Sequence, residues 1–161
     1  MSTQKISIRK AKLADLRPIY DLEEEYIEEI EPENLARWKA AEINIKAQLQ
    51  DSLKNIFVAE DENRVVGHCF WELFEGTAQI FSICVTKAYR RKGLASQLMQ
   101  ITESDCQAKG HERIALKTRI TNPAQFLFQH LSYTLLEEKE GWVYFEKSLS
   151  NTLERTNILS S

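Results

Sequence analysis

Ile80-Phe81-Ser82-Ile83-Cys84-Val85, followed by Tyr89-Arg90-Arg91-Lys92-Gly93-Leu94-Ala95-Ser96, is the stretch that decides the fold. The first run is apolar enough to be a buried strand. Downstream, Leu94, Leu98, Ile101 and Ala108 fall on one face of a helix. A basic turn with one glycine lies between the two. Strand, turn and helix in this order form an anion site suited to pyrophosphate. The turn exposes backbone N–H groups, the helix start carries about half a positive charge, and glycine permits close approach. Arg91 and Lys92 add full charges. Taken alone, the turn reads equally well as a solvated basic loop.

Working outward, residues 56–60, 65–74 and 78–86 read as strands. They are joined by Asp61-Glu62-Asn63-Arg64 and Glu75-Gly76-Thr77, which predicts an antiparallel meander. Residues 6–9 form a short first strand. One helix runs from Leu13 or Ala14 to Ile30, before Pro32, and a second spans 34–53 with Leu35, Trp38, Ile45 and Leu49 on one stripe. The helix from Gly93 is expected to stop at Lys109, because Gly110 suits a left-handed cap. A strand at 113–118, a helix at 123–131 opened by Pro123, and a hairpin of 134–138 with 142–147 follow. The expected fold class is α/β (α+β): one domain over residues 1–149, with a mixed, mostly antiparallel sheet of about seven strands and about four flanking helices. Residues 150–161 lose all periodicity and read as a flexible tail.

Composition agrees with this. The chain has 161 residues, 43% apolar and 28% charged, enough to bury around two-thirds of its unfolded surface in one domain. No apolar stretch is long enough to span a bilayer, and Met1-Ser2-Thr3-Gln4-Lys5 does not open a signal sequence. Cys69, Cys84 and Cys106 are odd in number and lack metal-ligand spacing, so they read as reduced, partly buried thiols, and no metal is expected. The expected location is the cytoplasm.

Arg90-x-x-Gly93-x-Ala95 resembles the Gln/Arg-x-x-Gly-x-Gly/Ala signature of the GNAT superfamily of acetyl-CoA-dependent N-acyltransferases. Ile83-x-Val85 stands where that family has its Leu/Ile-x-Val strand. Asn122-Pro123-Ala124 opens a helix as the family's fourth often opens, and Ile56-Phe57-Val58-Ala59-Glu60 with Val65-Val66-Gly67 resembles its second and third strands. The resemblance runs in order from about Ile6 to Leu149. It implies acetyl-CoA as co-substrate, held by the backbone of Ile83, Cys84 and Val85 and by the turn Arg90, Arg91, Lys92, Gly93, Leu94, Ala95 and Ser96. Asn122 and Phe128 are the further cofactor contacts it implies. It also implies direct attack of an amine on the thioester, with a backbone amide near Cys84 as oxyanion donor. Cys84 is then a strand residue rather than a nucleophile. A homodimer is a common state in such proteins.

The chain departs from the family in its proton-transfer groups. Counting back from Leu131-Ser132-Tyr133, which replaces Leu-Gly-Phe, the usual tyrosine acid is Phe128; counting forward from Asn122 gives Gln129. The glutamate base of histone-acetyltransferase-like members is Gln79. Acid and base are thus unassigned, with Glu72 and His68 on the third strand as candidates.

The acceptor signal is acidic. Asp21, Glu23, Glu24, Glu25, Glu28, Glu29, Glu31 and Glu33 are eight acids with no base among them, in a chain of net charge −3. Glu23 falls on the apolar stripe of its helix. In GNAT proteins this region lines the acceptor site, so Glu23 and Glu31 are candidates to attract a cationic small-molecule or peptide amine. The same run also reads as a solvated acidic face. It disfavours nucleic acid as a partner. Two functions stand: an N-acetyltransferase, or a GNAT-fold module that binds acyl-CoA and regulates or scaffolds.

Overall fold

The computed structural model describes residues 6–149, so the tail expected at 150–161 lies outside the described residues. β1 (Ile6–Lys10) pairs antiparallel with β2 (Ile56–Asp61), and β2 with β3 (Arg64–Phe74). β4 (Thr77–Val85) runs parallel to β5 (Arg113–Arg119) at two positions, Ala78↔Ile114 and Gln79↔Ala115. β5 pairs antiparallel with β7 (Trp142–Ser148), and β7 with the edge strand β6 (Thr134–Lys139). The seven strands are ordered β1-β2-β3-β4-β5-β7-β6.

Five α-helices are present among the described residues: α1 (Leu16–Ile30), α2 (Leu35–Ala40), α3 (Glu42–Asp51), α4 (Leu94–Ala108) and α5 (Ala124–His130). The sequence implied about four. The expected second helix divides at Ala41, whose φ of −94° and ψ of 11° leave the helical range. No glycine or proline marks this break. Trp38, just before it, stacks on Tyr20 of α1 at 4.3 Å, so tertiary packing overrides helix propensity here.

The chain forms two compact units and weaves between them. It leaves the first after Trp71, inside β3, returns at Ser82, inside β4, and leaves again after Met99, inside α4. The first unit is built on Ile19, Leu49, Ile56, Val58 and Phe70, with Leu16, Ile45 and Val65 packed around them. The second packs Phe128 edge-on against Tyr133 and Phe145, at 6.2 and 5.8 Å.

Two helices end in the same hydrogen-bonded motif. After α4, Gly110 N–H donates to Gln107 O and His111 N–H to Cys106 O, with Gly110 at φ 89° as its sequence implied. After α5, Ser132 N–H donates to Gln129 O and Tyr133 N–H to Phe128 O, but the left-handed position, φ 73°, is held by serine.

Candidate active site

β4 ends at Val85, and a single 3-10 turn, Lys87–Tyr89, leads into the basic segment. There the backbone turns left-handed twice, at Arg91 (φ 62°) and Gly93 (φ 77°). Alternating left-handed residues point successive N–H groups to one side, a concavity that suits anions. Helix α4 begins at once, with Gln97 N–H donating to Gly93 O at 3.1 Å. The N–H groups of Leu94, Ala95 and Ser96 therefore have no carbonyl within the helix to meet. A Cβ built on Gly93 meets nothing within 4 Å, so this backbone faces open space. Arg91 and Lys92 are exposed beside it, the Lys92 ammonium 5.3 Å above the Tyr89 ring.

Arg90 is turned to a different task. Its Nε donates to Val85 O at 2.9 Å, and Nη1 grips both carboxylate oxygens of Glu29, Oε2 at 2.7 Å. The side chain thus ties α1 to the end of β4 instead of pointing at an anion. The hydrogen bond from Arg90, working against burial, holds the Glu29 carboxyl below the usual glutamate range. Nearby, the Tyr89 hydroxyl donates to Asp61 at 2.5 Å and accepts from Arg64 at 3.1 Å, which anchors the far side of the turn.

Behind the turn, β3 approaches β4 closely. An added Cβ on Gly67 would lie 3.1 Å from Cys84 O and 3.2 Å from Leu98 Cδ1, so only glycine fits without movement. Ile83 and Val85 are half-buried and Cys84 is buried. Burial pushes the Cys84 thiol well above its ordinary range, with the charge of Glu23 adding to the effect.

The acids of α1 are mostly engaged. Glu24 pairs with Lys39 at 3.2 Å, Glu25 accepts from the Thr86 hydroxyl at 3.2 Å, Asp21 meets Arg17 at 3.1 Å, and Glu29 holds Arg90. The bases missing from the acidic run come from the first turn of α1 itself, as Arg17, and from neighbouring elements, as Lys39 and Arg90. Glu31 caps the end of α1, its N–H donating to Ile27 O.

Glu23 joins a different group. Its Oε1 accepts from Ser82 Oγ at 2.8 Å and lies 3.3 Å from His68 Nε2, while Ser82 Oγ and His68 Nε2 are 3.3 Å apart. The structure thus brings together Glu23 and His68, which the sequence offered separately, and adds Ser82, which it did not single out. The available signal was the position of Glu23 on an apolar stripe, facing strands whose inward side chains include a histidine and a serine.

The remaining candidates lie in the second unit. Glu72 is half-buried near the end of β3. Asn122 is buried, and its Oδ1 accepts from Ala124 N–H at 2.9 Å, capping the start of α5. Phe128 is 4% exposed, inside the aromatic core. Among the described residues no group of three or more His, Cys, Asp or Glu is placed to hold a metal, and no helix is long and apolar enough to cross a membrane.

The family model described as the acetyltransferase (GNAT) family matches residues 14–133. The chain belongs to the GNAT acetyltransferase family. No curated protein matches the sequence. Among solved structures, the PaiA N-acetyltransferase from Thermoplasma acidophilum, in complex with coenzyme A, is 18% identical with a TM-score of 0.78. It is matched over 92% of this chain and 99% of its own. An N-acetyltransferase from Staphylococcus aureus Mu50 is 25% identical, TM-score 0.75, over 90% and 99% of the two chains. YncA from Salmonella typhimurium, solved with its cofactor acetyl-CoA, is 18% identical, TM-score 0.67, over 90% and 94%. The seven-stranded α/β architecture is therefore the GNAT fold, and the turn after β4 holds Arg90-x-x-Gly93-x-Ala95, the stretch that resembles the family's signature.

Proposed function

We propose that the chain transfers an acetyl group from acetyl-CoA to a primary amine, small-molecule or peptidic, by direct attack within a ternary complex. The observation that carries this reading is the turn at residues 91–96. Two left-handed residues, unpartnered first-turn amides and the open face of Gly93 form a cradle that fits a pyrophosphate. Arg91 and Lys92 would add charge there, while Arg90 braces the turn from below through Glu29 and Val85 O.

The chain's own residues favour direct transfer over a covalent acyl-enzyme. A thiol nucleophile works as thiolate, and the buried Cys84 is pushed away from that form. The structural role of Cys84 is its backbone, packed against Gly67. The acidic end of α1 favours a cationic acceptor, and its long-range pull is moderated by the ion pairs to Lys39 and Arg90.

Two measurements test the reading. The full chain, given acetyl-CoA and a panel of amines, releases free CoA with at least one of them. Gly93→Val, by calorimetry, binds acetyl-CoA much more weakly while remaining folded. Absence of turnover with every amine would leave the binding-module alternative, and unchanged affinity in Gly93→Val would remove the turn from the site.

A further inference from the structure

The GNAT positions that usually transfer protons hold Gln79 and, depending on the direction of counting, the core residue Phe128 or Gln129, so the amine's proton needs another acceptor. Within the first unit, Glu23, Ser82 and His68 form one hydrogen-bonded group on the face of β4 that also carries Cys84. His68 is fully buried, and its Nδ1 has no partner among the described residues. A buried orphan N–H is rarer and costlier than an orphan acceptor lone pair, so the proton belongs on Nε2, which donates to Glu23. Glu23 Oε1 thus receives two donors, from Ser82 and His68. Its Oε2 has no partner among the described residues, and the side chain is 14% exposed. A helix stripe needing only packing would carry an apolar residue here, and a core needing only volume would not hold a half-satisfied imidazole.

We propose that Glu23 Oε2 is the proton acceptor for the incoming amine, and that His68 and Ser82 are positioning residues that fix Oε1. The proposal rests on the acetyl-transfer reading above. The titratable group in contact with Glu23 is His68 on β3, at 3.3 Å, and the charge of Glu23 also reaches Cys84 on β4, which senses Cys69 on β3, Arg90 after β4 and Glu25 on α1 as well. The ammonium gives one proton to Oε2, and the freed nitrogen lone pair attacks the thioester carbon. The C–N bond forms as the carbonyl π pair moves to oxygen. That pair then re-forms the carbonyl, and sulfur leaves with the C–S pair. The remaining extra N–H proton passes to the thiolate, giving the CoA thiol, and Glu23 releases its proton to water. Amide, thiol and one solvated proton result.

The test uses Glu23→Gln, Ser82→Ala and His68→Gln in the full chain. Acetyl-CoA affinity is measured by calorimetry, and kcat and KM across the range where carboxylates and imidazoles titrate. Glu23→Gln binds acetyl-CoA like the wild type, loses about 100-fold or more in kcat with little change in KM, and lacks the fall in kcat at acid pH. Ser82→Ala removes a donor to the charged carboxylate, so its acid limb moves to higher pH. His68→Gln keeps an N–H donor and most of kcat, whereas His68→Leu does not. If Glu23→Gln keeps kcat and the acid limb, or raises KM alone, the base assignment is overturned while acetyl transfer stands. An unmoved acid limb in Ser82→Ala overturns it equally, even where Glu23→Gln fails to fold. A wild-type chain that acetylates no amine overturns the acetyl-transfer reading, and the base assignment with it.

Discussion

Ser132 occupies a left-handed position, φ 73°, that α4 fills with Gly110 in the same helix-ending motif. The family usually has glycine there, and an L-residue in this region is strained by about 1–2 kcal/mol. Glycine would return about 0.5–1 kcal/mol of that through extra freedom in the unfolded chain. Ser132→Gly is therefore expected to stabilise the protein by about 0.5 kcal/mol, read as a rise in the denaturation midpoint at constant m-value. A lower midpoint would mean that the serine side chain contributes more than its backbone costs. Legibility at this scale was uneven. Gly110 announced its cap, because only glycine reaches φ 89° without strain. Ser132 did not, because serine is common in any loop. The roles of Glu23 and Ser82 were hidden for another reason: α1 and β4 are far apart in sequence, and no local pattern records their 2.8 Å contact.

Elements were read well where periodicity or turn chemistry is local. The β2–β3 and β3–β4 hairpins, the turn at residues 90–96 and the helix after it follow from residues adjacent in the chain. The division between α2 and α3 was not legible, since the stacking of Trp38 on Tyr20 is a tertiary contact. Gly67 shows how closely two strands can be fitted. Its missing side chain lets β3 lie against the Cys84 carbonyl and the tip of Leu98. Leu98 can turn aside, but the carbonyl moves only with its strand. Gly67→Ala is expected to destabilise the fold by about 1–3 kcal/mol, as overpacked cores do, measured by urea denaturation. On the proposed acetyl-transfer reading it should also lower kcat, because the displaced backbone is the one expected to face the thioester. An alanine variant of unchanged stability would mean that β3 and β4 have slack at this point.

At the scale of the whole molecule, two acids among the described residues, Asp15 and Glu29, have carboxyls held below their ordinary ranges. For Asp15, burial acts to raise the value, but hydrogen bonds from Arg9 and the Lys12 N–H outweigh it. For Glu29 the hydrogen bond from Arg90 dominates. In the unfolded chain these groups take up protons near pH 3.9 and 4.3, roughly, before the folded ones do. Their stabilisation is complete above that range and is lost as pH falls through the lowered folded values. The thermal midpoint should hold steady from neutrality to about pH 5 and drop below about pH 4. In Glu29→Gln the drop should be shallower than in the wild type. An identical acid slope in the two proteins would show that the Arg90 contact contributes nothing to it.

The path of the chain also sets a timetable for synthesis. The first unit includes Ser82–Met99, so it cannot close when Trp71 leaves the ribosome. It must wait, with Ile56, Val58 and Phe70 assembled against an unfinished neighbour, until α4 has begun. The second unit opens with Glu72–Phe81, made early, and closes only with β7, the last of the seven strands in chain order. A nascent chain therefore shows apolar strand surface for most of its translation, and a slow codon run or stall between β3 and α4 would lengthen the interval in which chaperones, or other nascent chains, can reach it.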